Sequence, residues 1–380
     1  MVGIMAHRPT DPQRARGGGG TLCGMRRRIV VVGATGRTGR LVAQELAGRP
    51  HVLLVARRAD ALATLGRTTD LPARCADLDG LGGVLVPGDI VLSCVGPHDV
   101  VGDRVVDAAV HVGATYLDVT GEPAFLARLH TDHGPRAASS GVSLLPAVGY
   151  EYLPGLLLSE LALDAAGPAA RRVEVAYLVD GGLDAGSATA RRSLVRALTR
   201  PTTTFRRGVH HAETVAARRG EFRAGGQLHT TVSLGGLEVW SLPTRHPDLD
   251  RVDVHTGWFG AAAPLLQLGA LLSGPARMLG VDRLMDGAVA ILGDGDDEGL
   301  STGTSRFVVR VRDERGGVLA REEAVAGNAI VLAARLAAAT ADALAERPLG
   351  DVPTGATDPV AALGLQAVGR LAEWAGLVRL

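Results

Sequence analysis

The sequence predicts an α/β fold: a Rossmann-like, doubly wound parallel sheet with an inserted α+β domain and a C-terminal helical return. Three observations carry this. From Arg26 onward, short apolar runs alternate with amphipathic stretches, the pattern of a parallel sheet covered by helices. The first run, IVVV at 29–32, meets Gly33, Gly36 and Gly39 and passes at once into the helical pattern RLVAQELAG. A second run at 51–55 follows at the distance a βαβ unit requires.

Composition bounds the rest. A chain of 380 residues, 46% apolar, suffices for two or three domains with a sizeable core. Its 40 basic and 40 acidic residues cancel, so there is no electrostatic footprint for nucleic acid. Every basic residue is arginine, since lysine is absent. This excludes a Schiff-base lysine, a phosphate-loop lysine and a Tyr-x-x-x-Lys couple, because guanidinium does not readily share a proton. Cys23, Cys75 and Cys94 are scattered without metal-ligand spacing. They read as reduced thiols of a cytoplasmic protein, and no metal is expected.

In order, residues 1–25 read as a disordered leader and 26–163 as a dinucleotide-binding domain. Residues 164–325 read as a substrate or dimerisation domain, and 326–380 as a segment packing back on the first domain. Strand, glycine turn and helix in that order are what a dinucleotide site needs. Gly33 lets the chain turn, Gly36 removes a side chain where backbone approaches the pyrophosphate, and Gly39 lets the helix pack on its strand. Thr35, Arg37 and Thr38 complete the loop, with helix-start N–H groups facing the anion.

Ala56, Arg57 and Arg58 follow strand two, where an acidic residue would grip the ribose hydroxyls of NAD. Two guanidinium groups suit a 2′-phosphate instead, which favours NADP(H) over NAD(H); the alternative is solvated surface side chains. A third strand at 74–76 ends in Asp77, which either touches adenine or caps a helix. The fourth, at 89–94, runs into Cys94, Val95, Gly96 and Pro97, an edge passing close to the cofactor's ribose and phosphates. Cys94 reads as a small apolar residue rather than a nucleophile. A helix at 100–112 leads to a fifth strand, 115–119, ending in Thr120, Gly121 and Glu122, and a sixth, 142–145, exits as PAVGYEYLPG.

The pieces GATGRTGRLVAQEL at 33–46, SCVGP at 93–97, GATYLDVTGE at 113–122 and VGYEYLPG at 148–155 resemble the saccharopine dehydrogenase-like oxidoreductases, most of all the trans-acting enoyl reductase type. DGGLDAGSATA at 180–190, GNAIVLAARLAAATADAL at 327–344 and DVPTGATDPVAALG at 351–364 extend the resemblance. Two departures stand out. His98 replaces the tyrosine expected after the Gly-Pro, and Glu151 and Tyr152 replace the aspartate and serine common after strand six.

The middle changes character. Residues 171–179, 227–240 and 251–255 alternate as strands and 186–199 read as a helix, consistent with a mixed sheet. Residues 256–276 carry no charge, yet Pro264, Gln267, Gly274 and Pro275 argue against a membrane span. This stretch reads as a helix lining an acyl pocket or a homodimer interface, or as a plain core helix. The acidic run at 293–299 lacks a calcium-loop spacing and reads as a solvated loop. A hairpin, 305–311 with 318–324, and an alanine-rich helix at 326–345 complete the pattern.

The carboxyl ends of the strands gather His98, Glu122, Tyr150, Glu151 and Tyr152. Tyr150 is the first candidate for proton donor or carbonyl polariser and His98 the second; Tyr150 stacked on a nicotinamide and Glu122 as a helix cap are the alternatives. The expectation is an NADPH-dependent reductase of an activated C=C bond in an apolar acyl or polyketide-like substrate, free or carrier-bound. The alternatives are opine-type C–N oxidoreduction, with Arg191, Arg192 and Arg196 gripping carboxylates, and a non-catalytic NADP-binding sensor or scaffold.

Overall fold

Why the first sheet forms is written in its burial. β1 (Ile29–Val32) and β4 (Ile90–Ser93) are buried at every residue, as strands covered by helices on both faces must be. The computed structural model describes residues 26–180, 200–258 and 303–380. Expectations for the leader, the helix at 186–199, the acidic run at 293–299 and the apolar stretch beyond residue 258 lie outside these residues.

Around this pair stand β2 (Val52–Ala56), β3 (Ala73–Cys75), β5 (Thr115–Asp118), β6 (Ser143–Leu145) and a short late strand, Gly355–Ala356. All pair in parallel, in the order β3-β2-β1-β4-β5-β6 with the late strand beyond β6. This is the doubly wound order, with its switch point between β1 and β4. The crossovers include α1 (Arg37–Glu45), α2 (Ala59–Thr69) and α3 (His98–Val112), followed by the shorter α4 (Pro123–Arg128) and α5 (Gly134–Ser139).

α6 (Leu153–Ala166) carries the chain out of the first sheet. It is apolar nearly all round and buried through most of its length, so it can only sit between layers. On its far side lies the second sheet. This contains β7 (Arg172–Val179), β8 (Pro201–Arg206), β9 (Val209–Thr214), β10 (Arg219–Ala224), β11 (Gln227–Ser233), β12 (Arg251–Thr256), β13 (Ser305–Arg312) and β14 (Val318–Ala326). The order is β10-β11-β12-β7-β13-β14, with β12 and β7 parallel and the other neighbours antiparallel. The β8–β9 hairpin pairs with β12 through β8.

One expected strand is corrected. The alternation over 227–240 stops at Ser233, and Glu238–Arg245 is a helix, α7. Gly235 turns the chain at φ +82, where a side chain would strike Thr202. Pro243 within α7 removes the N–H that would reach the Val239 carbonyl, and His210 Nε2 donates to that carbonyl instead at 2.8 Å.

The alanine-rich helix runs as α8 (Ala329–Ala345), capped by Asn328 Oδ1 accepting from Ile330 and Val331 N–H, and packs on α1. Beyond it the chain lays Gly355–Ala356 (β15) on the first sheet, forms α9 (Pro359–Leu363) and α10 (Leu365–Ala375), and adds β16 (Val378–Arg379) to β14 in the second sheet. No described helix is long and apolar enough to cross a membrane.

Candidate functional site

The glycine turn is as tight as bare backbone permits. A Cβ on Gly33, which lies at φ +81, would stand 2.8 Å from Val95 Cγ2, and one on Gly39 would stand 2.3 Å from the Gly33 carbonyl oxygen. At Gly36 it would meet that same oxygen at 3.2 Å. Gly36 also opens α1, and no side-chain cap or acidic residue occupies the first turn. Thr35, Arg37 and Thr38 lie along this rim, between buried and half-buried. A cradle of this kind, at a helix N-terminus beside the switch point, fits the pyrophosphate of a dinucleotide.

Arg57 and Arg58 are exposed after Ala56, the last residue of β2. Arg58 Nη2 donates to the Thr35 carbonyl at 2.9 Å, which ties it to the glycine turn. Asp77 Oδ1 accepts from the Gly80 N–H at 2.8 Å, holding a local turn. Across the switch point, the Cys94 carbonyl lies 3.1 Å from the position of a Gly33 Cβ, and Gly96–Pro97 is a cis peptide leading into α3. Burial, reinforced by the charge of Asp118, pushes the Cys94 thiol up to about 12, so it stays protonated.

His98 opens α3 and is buried against Glu122, with Nδ1 3.4 Å from Oε2. Burial alone would lower the imidazole pKa; the hydrogen bond and charge of Glu122, with the charge of Asp118, overcome it and hold the group at about 9. Glu122, which burial would raise, is drawn to about 2 by His98 and the Thr120 hydroxyl. The pair is therefore ionised at neutral pH and internally matched. Asp118 ties the strand exits together, Oδ1 accepting from the Thr120 and Ala147 N–H groups at 2.9 and 2.8 Å and Oδ2 from the Tyr116 hydroxyl at 2.8 Å.

Tyr150 lies in a buried aromatic group with Tyr177, Trp258 and Phe307, at centroid distances of 6.3, 6.2 and 5.4 Å. Burial, then the charge of Glu151, pushes its hydroxyl above the ordinary tyrosine range. Tyr152 adopts φ +79, a costly conformation for a large side chain, held by its hydroxyl donating to the Gly121 carbonyl at 3.1 Å. Between the two tyrosines, Glu151 lays its carboxyl on Gly121, with Cδ 3.2 Å from the position of a Gly121 Cβ. Burial, with the charge of Glu122 added, raises Glu151 to about 7. Its side chain is nevertheless not closed off from solvent, in contrast to its two neighbours.

Behind it, fully buried Glu238 accepts from the Tyr177 hydroxyl at 2.6 Å, and burial likewise raises it to about 7. Gly155 makes room for both, since a Cβ there would stand 2.1 Å from the Tyr177 hydroxyl. Glu238 gave no signal in the sequence because it lay in a stretch read as a strand. Glu151 did give one, as a departure from the expected aspartate. Arg191, Arg192 and Arg196 lie outside the described residues.

A glycine-cradled switch point on a 3-2-1-4-5-6 sheet, with a second mixed sheet packed through α6, defines a two-domain protein of the Rossmann nucleotide-binding class. The chain is similar to human saccharopine dehydrogenase-like oxidoreductase, 30% identical over 153 residues that cover 33% of this chain and 35% of the human protein. It is similar also to the trans-acting enoyl reductase of Mycobacterium leprae, 32% identical over 140 residues covering 33% of each chain. The match thus spans about a third of the length of these curated relatives. Among solved structures, apo saccharopine dehydrogenase (L-Glu forming) from Saccharomyces cerevisiae shares the fold, with TM-score 0.55, 13% identity, and coverage of 93% of this chain and 99% of that one. No family model matches. The resemblance read from the sequence is therefore found again in relatives described as saccharopine dehydrogenase-like oxidoreductases and as a trans-acting enoyl reductase.

Proposed function

We propose that the protein is an NADP(H)-dependent oxidoreductase in which Glu151 moves the proton, and that it reduces an activated C=C bond of an apolar acyl substrate. The observation that supports this best is the Glu151 carboxyl resting on Gly121 at the carboxyl edge of the sheet, with a pKa of about 7. A group poised near neutrality is suited to general acid work. In this reading it takes the place of the two earlier candidates: His98 Nδ1 faces Glu122, and the Tyr150 hydroxyl sits deep among aromatic rings.

In this reading the glycine turn and the start of α1 hold the pyrophosphate, while Arg57 and Arg58 grip the 2′-phosphate. When bound, the dinucleotide supplies a hydride. Glu151 in its protonated form gives its proton to the carbon α to the substrate carbonyl and regains one from solvent. The aromatic group around Tyr150 keeps the far wall of the cleft dry and apolar. A homodimer and a cytoplasmic setting belong to the same proposal, the dimer resting on the charge-free stretch at 256–276.

The test is NADPH consumption over a panel of enoyl thioesters and imines by the natural protein and by Glu151→Gln. Turnover of enoyl thioesters, lost about a hundredfold or more in the variant with NADPH affinity intact, supports the reading. Full activity in Glu151→Gln removes Glu151 from the reaction, turnover of imines alone moves the chemistry to C–N bonds, and tight NADPH binding with no turnover at all favours a sensor.

A further inference from the structure

The second sheet has two faces, and α6 covers only one. Val173, Val175, Phe307, Val309, Val252 and Val254 point toward α6 and join the main core. The opposite face carries a small apolar cluster, Ala176, Leu178 and Val308, over which the β10–β11 hairpin folds by means of Phe222 and Ala224. Beside that cluster, between the hairpin and the sheet, lies a recess of about 420 Å³ whose walls are polar.

Its charge is out of balance. Four arginines on its wall, Arg218, Arg219, Arg251 and Arg310, face two carboxylates, those of Glu174 and Asp253. Glu174 serves both Arg310 and Arg312, each at 2.9 Å, and Asp253 serves both Arg218 and Arg251. The only imidazole on the wall, His255, is buried and adds no compensating negative charge. Two surplus cations in a partly enclosed recess favour an anion strongly, because low-dielectric walls focus their field. The Arg310 guanidinium is held 4.0 Å above the ring centre of buried Phe222.

We propose that this recess binds a phosphate monoester, with the doubly charged phosphate between Arg251 and Arg310, where fork geometry matches its oxygens. Because the recess opens on the face turned away from α6 and the first sheet, the bound molecule is a second ligand and not the one that reacts. The proposal stands independently of the reaction.

Phenyl phosphate is the probe, with calorimetry on the full chain in low-chloride buffer. Arg251→Gln and Arg310→Gln are the variants, chosen because each leaves its carboxylate paired with another arginine, Arg218 or Arg312. Saturable binding to the natural protein, weakened tenfold or more in either variant and unchanged in Arg57→Ala with Arg58→Ala, supports the site. Absence of binding to the natural protein overturns it, as does binding that survives both variants or disappears only with Arg57 and Arg58. Inorganic phosphate run alongside is expected to bind with the same dependence on Arg251 and Arg310; binding of it that ignores both variants overturns the site.

Discussion

His98 Nδ1 stands 3.4 Å from Glu122 Oε2, joining the first residue of α3 to the residue just before α4 across the carboxyl edge of the sheet. The pH behaviour of the pair follows from both partners. Folding keeps the His98 proton up to about pH 9, whereas the unfolded chain releases it near 6.5, so this contribution is whole below 6.5 and lost as pH rises through 9. Glu122 runs the other way: its contribution is whole above 4.5 and lost as pH falls through about 2. Glu122→Gln is expected to lower unfolding free energy by about 3 kcal/mol at pH 6, with the deficit shrinking at pH 9.5, as urea titrations at the two pH values would show. A constant deficit would mean the pair is not ionised.

Arg57→Ala with Arg58→Ala is expected to weaken NADPH binding by about tenfold or more per arginine, while NADH binding stays within a fewfold. Titrations of both dinucleotides measure it. Equal losses for both would show that the arginines act on the glycine turn, to which Arg58 is tied through Thr35, and not on the 2′-phosphate.

Gly39→Ala places a methyl group 2.3 Å from the Gly33 carbonyl oxygen, so α1 must move away from the turn. Dinucleotide binding should be abolished and stability reduced by about 1–3 kcal/mol. Unperturbed binding would refute the cradle.

Trp240 on α7 is sandwiched between His130, at 4.9 Å, and His210, at 4.3 Å, the first of these from the α4–α5 region and the second from β9. Burial holds His130 at about 4, so its neutral form stabilises the fold above pH 6.5, and that contribution is lost as pH falls through 4. Trp240→Leu is expected to cost about 2 kcal/mol, and His130→Leu to flatten the loss of stability between pH 6.5 and 4. Thermal melts across that range provide the measurement.

What was legible in the sequence was whatever local pattern determines. Runs such as IVVV must be buried on both faces, and three glycines before a helix admit few other uses, so the order of the first sheet and its turn followed. Less was visible where neighbours decide. Val209–Thr214 is exposed or half-buried throughout and pairs only through its partner strand, and the two-residue strands at Gly355–Ala356 and Val378–Arg379 exist because a sheet edge is waiting for them. Leu237 to Trp240 read as strand because alternation looked plausible until Gly235 turned the chain. At the site, Tyr150 looked the better acid by chemistry alone. That the Glu151 carboxyl lies on Gly121, and that Tyr152 beside it takes a positive φ, are facts of the folded backbone that no spacing encodes.

The late strands β15 and β16 belong to different sheets, although barely twenty residues lie between them. The polypeptide therefore crosses from one layer to the other again after α6 has already done so, like a seam sewn at both ends. Any movement of one layer against the other must then flex both of these stitches together, and a protein tag or cut placed among the final residues would slacken a joint far from where it was made.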